Sequence, residues 1–216
     1  PYYQVISDKS DITIAVRNIS DRGAGIEGNV RNLHGESNNF RNIDLFYFNN
    51  DKEHRSNYPA EPKSRWAFGI RDTFGKKENI WMTIDWAKTS DSLVLRDIPG
   101  DITSIGNQRK QNLKQNISIN GVFKNIKIKI SQEGYQTLNP LLTNGYKKAP
   151  SIDIEYFNKF KKISIRERVN ITEFRAENLH GFFGNQLNNN KFQTYINDPI
   201  EGRRIFYDLE ISNSSN

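Results

Sequence analysis

The chain contains no cysteine, seven alanines, and no apolar run longer than a handful of residues before Lys, Asn or Asp interrupts it. Each shortage excludes something. Without cysteine there is no disulfide framework, no thiolate metal site and no cysteine nucleophile. A membrane-crossing helix needs about 20 consecutive apolar residues, so none is predicted, and the expectation is a soluble chain with no membrane insertion. Scarcity of alanine removes the best helix former, while 26 Ile supply a β-branched residue that suits strands. Nucleophile-elbow, Walker and H-E-x-x-H patterns are missing as well.

What is present is a polar chain of 216 residues, 35% hydrophobic and 12% aromatic, with a mean hydropathy of -0.76. Such values approach those of disordered chains. Order is nevertheless predicted, because the apolar residues fall in short alternating runs, the signature of a strand with one apolar face. The clearest are Ile12-Ile14-Val16, Trp66-Phe68-Ile70, Ile80-Met82-Ile84-Trp86, Ile126-Ile128-Ile130, Ile163-Ile165-Val169-Ile171 and Ile205-Tyr207-Leu209-Ile211. Further strands are expected at Ile43 to Phe48, Leu93 to Leu95, Ile117 to Ile119 and Ile152 to Phe157. Residues 17 to 41 and 97 to 115 read as long polar connections, and short helices are allowed only near Leu138 to Leu142 and Glu173 to Leu179.

About ten strands without interleaved helices predict an all-β fold. The architecture expected is an antiparallel two-sheet β-sandwich, jelly-roll-like, forming one domain over 1–216, with each apolar face buried between the sheets and each polar face outward.

Several motifs invite chemistry and are outweighed by plainer readings. Gly23-Ala24-Gly25-Ile26-Glu27-Gly28 matches the dinucleotide fingerprint, but no helix is predicted to follow it, so it reads as loop. His34 and His180 lie in identical Asn-Leu-His-Gly tetrapeptides and suit acid-base hydrolysis if they meet; solvated loop histidines are the simpler expectation. Asp153 with Glu155, and Asp208 with Glu210, each share a strand face, where alternating acids suit a solvated surface. No catalytic residue, metal site or cofactor is predicted.

Charge is unevenly placed. The formal net charge is +6, and residues 109–168 hold 13 basic groups against 4 acidic ones. Lys124, Lys127, Lys129, Lys159, Lys161, Lys162, Arg166 and Arg168 are predicted to make a basic sheet face suited to nucleic acid or another polyanion, with solvation of an outer face as the alternative use. Together these observations favour a non-enzymatic assembly protein, such as a viral capsid or phage particle component, in a virion or the cytoplasm. It is expected to self-associate through its loops, as a homo-oligomer or with assembly neighbours. A carbohydrate-binding sandwich using Trp66, Trp81 or Trp86, and a nucleic-acid hydrolase using His34 and His180, are the alternatives. No signal peptide is visible.

Overall fold

A computed structural model describes residues 1–35, 39–76, 78–98, 105, 111–139, 146–176 and 202–213. In chain order its elements are β1 (Tyr2–Ser7), β2 (Ser10–Ile19), β3 (Gly23–His34), β4 (Asn39–Phe48), α1 (Lys52–Asn57), β5 (Arg65–Gly75), β6 (Ile80–Thr89), α2 (Val94–Asp97), β7 (Asn112–Phe123), β8 (Ile126–Thr137), β9 (Tyr146–Phe160), β10 (Ile163–Ala176) and β11 (Gly202–Asn213). All eleven strands belong to one sheet in sequence order.

The all-β class is therefore as predicted, and the two-sheet jelly-roll sandwich is not. Every strand pairs with its neighbours in sequence, giving an up-and-down meander, whereas a jelly roll needs strands that cross from one sheet to another. The local cause lies in the turns. Asp8-Lys9, Lys124-Asn125 and Lys161-Lys162 join successive strands by two residues each, and connections that short leave antiparallel pairing with the neighbour as the only arrangement. Periodicity marks strands without saying which of them pair.

Several segments differ from expectation. The predicted loop at 17–41 is mostly strand, the end of β2, all of β3 and the start of β4, and the glycine motif lies in β3. Gly25 is needed there because the Phe48 ring crosses the space a Cβ would fill. Leu93 to Leu95, expected as a strand, leads into the one-turn helix α2, and the helix expected near Glu173 is the end of β10 as far as Ala176. β1 was not anticipated. The expected helix at Leu138 to Leu142 lies largely outside the described residues.

Two compact units make up the chain. The first comprises Pro1–Thr73, Ile84–Gln115 and Tyr135–Leu142, and the second Phe74–Thr83, Asn116–Gly134 and Thr143–Asn216. In the first, a small apolar cluster of Phe46, Phe48, Ala67, Val94, Leu95, Ile98, Ile105, Leu113 and Leu138 is buried where α2 and its flanks cover one face of β4 and β5. Phe46 and Phe48 sit two apart on β4 with ring centroids 5.2 Å apart.

Candidate functional site

Strand register sorts the side chains of the first unit into rows across β2, β3, β4 and β5. On one face the rows are Ile12-Val30-Ile43-Ile70, Ile14-Gly28-Leu45-Phe68 and Val16-Ile26-Tyr47-Trp66. On the other they are Ala15-Glu27-Phe46-Ala67 and Thr13-Asn29-Asp44-Gly69. Burial runs opposite to the expectation for a sandwich. Val16, in the apolar rows, is 79% exposed, while Glu27, in the polar rows, is fully buried and Asp44 nearly so. The apolar face is turned outward and the polar face inward.

The inward face is held by hydrogen bonds. Asn29 donates to Asn42 Oδ1 at 2.9 Å and to Asp44 Oδ1 at 2.7 Å, and Asn42 donates to Asp44 Oδ2 at 2.7 Å. Each member of that triad satisfies another, as buried polar groups must. Nearer the long connections, the fully buried Arg65 guanidinium contacts Asp51 at 2.9 Å, Asp91 at 2.7 Å and Asp97 at 3.1 Å. Arg22 joins it through Asp51 at 2.8 Å and Glu53 at 2.7 Å. These contacts fasten α1, α2 and the residues before them to the start of β5.

Burial alone would push the carboxyls of Asp51 and Asp91 toward the neutral form. Asp51 is nevertheless held below the usual carboxylate range, because the His54 amide, Arg65 and Arg22 all bond to its charged form. Asp91 is held low in the same way by Arg65, the Ser90 hydroxyl and the Leu93 amide.

His34 is not a loop residue. It closes β3 with Nε2 2.7 Å from Asp72 Oδ1, and Arg41 Nε lies 2.6 Å from the other oxygen of the same buried carboxylate. His180 lies outside the described residues.

The second unit repeats the two-faced pattern across β8, β9, β10 and β11. Its apolar rows are Ile128-Ile154-Val169-Tyr207 and Ile130-Ile152-Ile171-Ile205. Ile130, Ile154 and Ile205 are all exposed. The residues predicted to bind polyanions all fall in this unit, in two settings. Lys127, Lys129, Arg166 and Arg168 lie on the polar face among acids. One row there alternates in sign, Lys127-Glu155-Arg168-Asp208, and Lys129 faces Asp153. Arg166 contacts Glu155 at 3.3 Å and Glu210 at 3.7 Å. Lys124, Lys161 and Lys162 occupy the two-residue turns, and Lys159 is next to last in β9.

Sequence reasoning missed Arg65 and its acids, which come from separate stretches of chain and carry no shared spacing. Among the described residues no group of three or more His, Asp or Glu is placed to hold a metal.

No family model matches the chain. It is similar to LPS-assembly proteins. The LPS-assembly protein LptD of Pseudomonas aeruginosa (strain LESB58) is 25% identical over 158 residues, which cover 73% of this chain and 16% of that protein. The LptD of Saccharophagus degradans is 26% identical over 169 residues, covering 71% of this chain and 19% of that protein. That of Pseudomonas syringae pv. syringae is 26% identical over 156 residues, with 71% and 16% covered. The matched stretch is thus less than a fifth of the length of these curated relatives.

This likeness overturns the expectation of a viral capsid or phage particle component, and with it the carbohydrate-binding and hydrolase alternatives. The prediction of no crossing helix holds among the described residues. It does not exclude the membrane, because strands cross bilayers without any long apolar run.

Proposed function

We propose that the chain is a stretch of membrane-spanning β-barrel wall from a protein acting in LPS assembly. Its Ile-, Val- and aromatic-rich face meets lipid, and its Asn-, Asp- and Arg-bearing face is turned to the interior, where α2 and its flanks cover part of it. The observation that carries this reading is the inverted burial of the first unit, with Val16 exposed opposite a buried Glu27. In water, three rows of outward apolar side chains would be an aggregation hazard; in a bilayer they are the required surface.

Two further features agree. In an up-and-down meander, alternate connections fall at opposite ends of the strands. Those at 8–9, 35–38, 76–79, 124–125 and 161–162 have two to four residues, whereas of the other five only 20–22 is as short, the rest being 49–64, 90–111, 138–145 and 177–201. Short turns at one end and long loops at the other are usual in bacterial outer-membrane barrels. The likeness to LPS-assembly proteins supplies the process, and other components of such an assembly are the partners it implies.

Fluorescence quenching tests the reading, because the three tryptophans divide between the faces. Trp66 lies in an apolar row, and Trp86 packs on Phe68 of the same face with ring centroids 5.9 Å apart. Trp81 shares its strand face with Thr83, which bonds Ser118 at 2.6 Å on the polar side. In vesicles of phosphatidylcholine with brominated acyl chains, single-tryptophan variants retaining Trp66 or Trp86 should be strongly quenched. The variant retaining Trp81 should be quenched far less. Equal quenching at all three positions, or none, would reject the assignment of faces.

A further inference from the structure

The basic block divides into two sets, one on the polar face in register with acids and one at the strand ends. Among the described residues, no carboxylate lies within ion-pairing distance of Lys124, Lys159 or Lys161. These three and Lys162 gather at the short-turn end of β7, β8, β9 and β10, all within the second unit. Because β8 pairs with β9, both turns lie toward the same end of these strands, the first beside Phe157, whose amide bonds the Asn125 carbonyl at 2.9 Å, and the second four residues further along β9.

Both turns are built alike. Lys124-Asn125 is flanked by Phe123 and Ile126, and Lys161-Lys162 by Phe160 and Ile163, and all four flanking side chains are exposed. Lys124 and Lys161 adopt φ of 53° and 52°. That left-handed conformation favours Gly, Asn or Asp, so turn chemistry alone does not select lysine at either position. The charge therefore needs another reason.

An apolar pair with an ammonium just beyond it is the arrangement expected where a strand leaves the hydrocarbon layer. The rings and isoleucines lie at the acyl boundary, and the lysine stems reach the headgroups. We propose that the two turns form a binding rim for anionic phospholipid headgroups, with Lys124 and Lys161 contacting lipid phosphates. The site rests on the barrel reading above and names the lipid that one edge of that barrel selects. Charge complementarity and continuity with the apolar rows Ile128-Ile154-Val169-Tyr207 and Ile130-Ile152-Ile171-Ile205 specify the occupant.

The test reconstitutes the whole chain in vesicles of phosphatidylcholine containing phosphatidylglycerol. Electron spin resonance of spin-labelled forms of each lipid then reads the fraction of each held at the protein surface. The unaltered chain should favour phosphatidylglycerol several-fold at low salt, about fivefold for each lysine fully engaged, and lose the preference near 1 M salt. Lys124→Asn with Lys161→Asn removes charge while supplying a residue suited to positive φ, so it should insert normally and lose most of the preference. Lys159→Gln removes a charge at the same strand end but on the polar face with Asp153 and Glu155, so it should keep the preference.

Equal retention of both lipids by the unaltered chain would overturn the proposal, as would a preference that survives the double substitution or high salt, or one lost in Lys159→Gln alone. Binding of single-stranded DNA through the same lysines without any lipid preference would also overturn it. Quenching of Trp66 and Trp86 by brominated phosphatidylcholine is measured on the same samples. Normal quenching without lipid preference rejects the rim and leaves the barrel standing, whereas absent quenching rejects both.

Discussion

At the scale of single residues, Arg65 is the largest fully buried side chain among those described. Three carboxylates converge on one fully buried guanidinium, so removing the cation leaves Asp91 without its ion pair and Asp51 and Asp97 with only Arg22 and Arg96. Arg65→Met should destabilise the fold by about 3–5 kcal/mol, the range for breaking a buried pair from one side. Urea unfolding followed by tryptophan fluorescence measures it. Asp97→Asn should cost far less, because Asp97 is partly exposed and its amide still accepts a hydrogen bond. The same cluster sets an acid limit. Asp51 and Asp91 have folded pKa values below their unfolded values, so the stability they contribute is complete above about pH 5, a unit beyond the ordinary carboxylate value. It is lost as pH falls through the lower folded values. Melting temperature should hold level from neutral pH to about pH 5 and then fall. Arg65→Met, lacking the partner that depresses both carboxyls, should show a shallower fall; an equally steep one would separate the acid limit from this cluster.

At the scale of the strand, the issue is which face meets which medium. Alternation in sequence marks a two-faced strand, and the same alternation serves a strand in water and one in lipid. For that reason β6, β8, β10 and β11 were legible from their Ile, Val and Trp spacing, while the outward direction of their apolar faces was not. β3 was hidden for a different reason. Gly25 and Gly28 interrupt its alternation, and Gly25 is explained only by the Phe48 ring lying across it, a contact that arises only when β3 pairs with β4. The buried triad of Asn29, Asn42 and Asp44 also arises only on pairing, because each residue alone reads as an ordinary polar side chain. A substitution distinguishes the two media. Val169 sits mid-row between Ile154 and Tyr207. Val169→Arg should cost about 2–4 kcal/mol in a bilayer if the row lies near its centre, against about 0.5 kcal/mol or less on a surface in water. Phe206→Arg, on the opposite face beside Asn170, should be tolerated in either. Reversible unfolding from phosphatidylcholine vesicles gives both values, and a tolerated Val169→Arg would count against lipid on that face.

At the scale of the whole molecule, the one-sheet meander fixes the order of crossings. In a spanning sheet, the turn Asp8-Lys9 and the connection at 49–64 must emerge on opposite sides of the membrane, since β2, β3 and β4 separate them and three crossings reverse the side. The absence of cysteine, which at first only excluded chemistry, makes this directly measurable, because any thiol introduced is the only one in the chain. Asp8→Cys and Ser56→Cys both place the thiol at exposed positions. In sealed vesicles where the protein has inserted in one orientation, a membrane-impermeant maleimide added outside should label one of the two variants and spare the other. Detergent should then make the spared one reactive. Ser20→Cys, one strand from Asp8 across β2, should follow Ser56 rather than Asp8. Labelling of all three from outside before detergent would mean that the sheet lies on the bilayer instead of crossing it, because a single crossing by β2 is enough to separate Asp8 from Ser20.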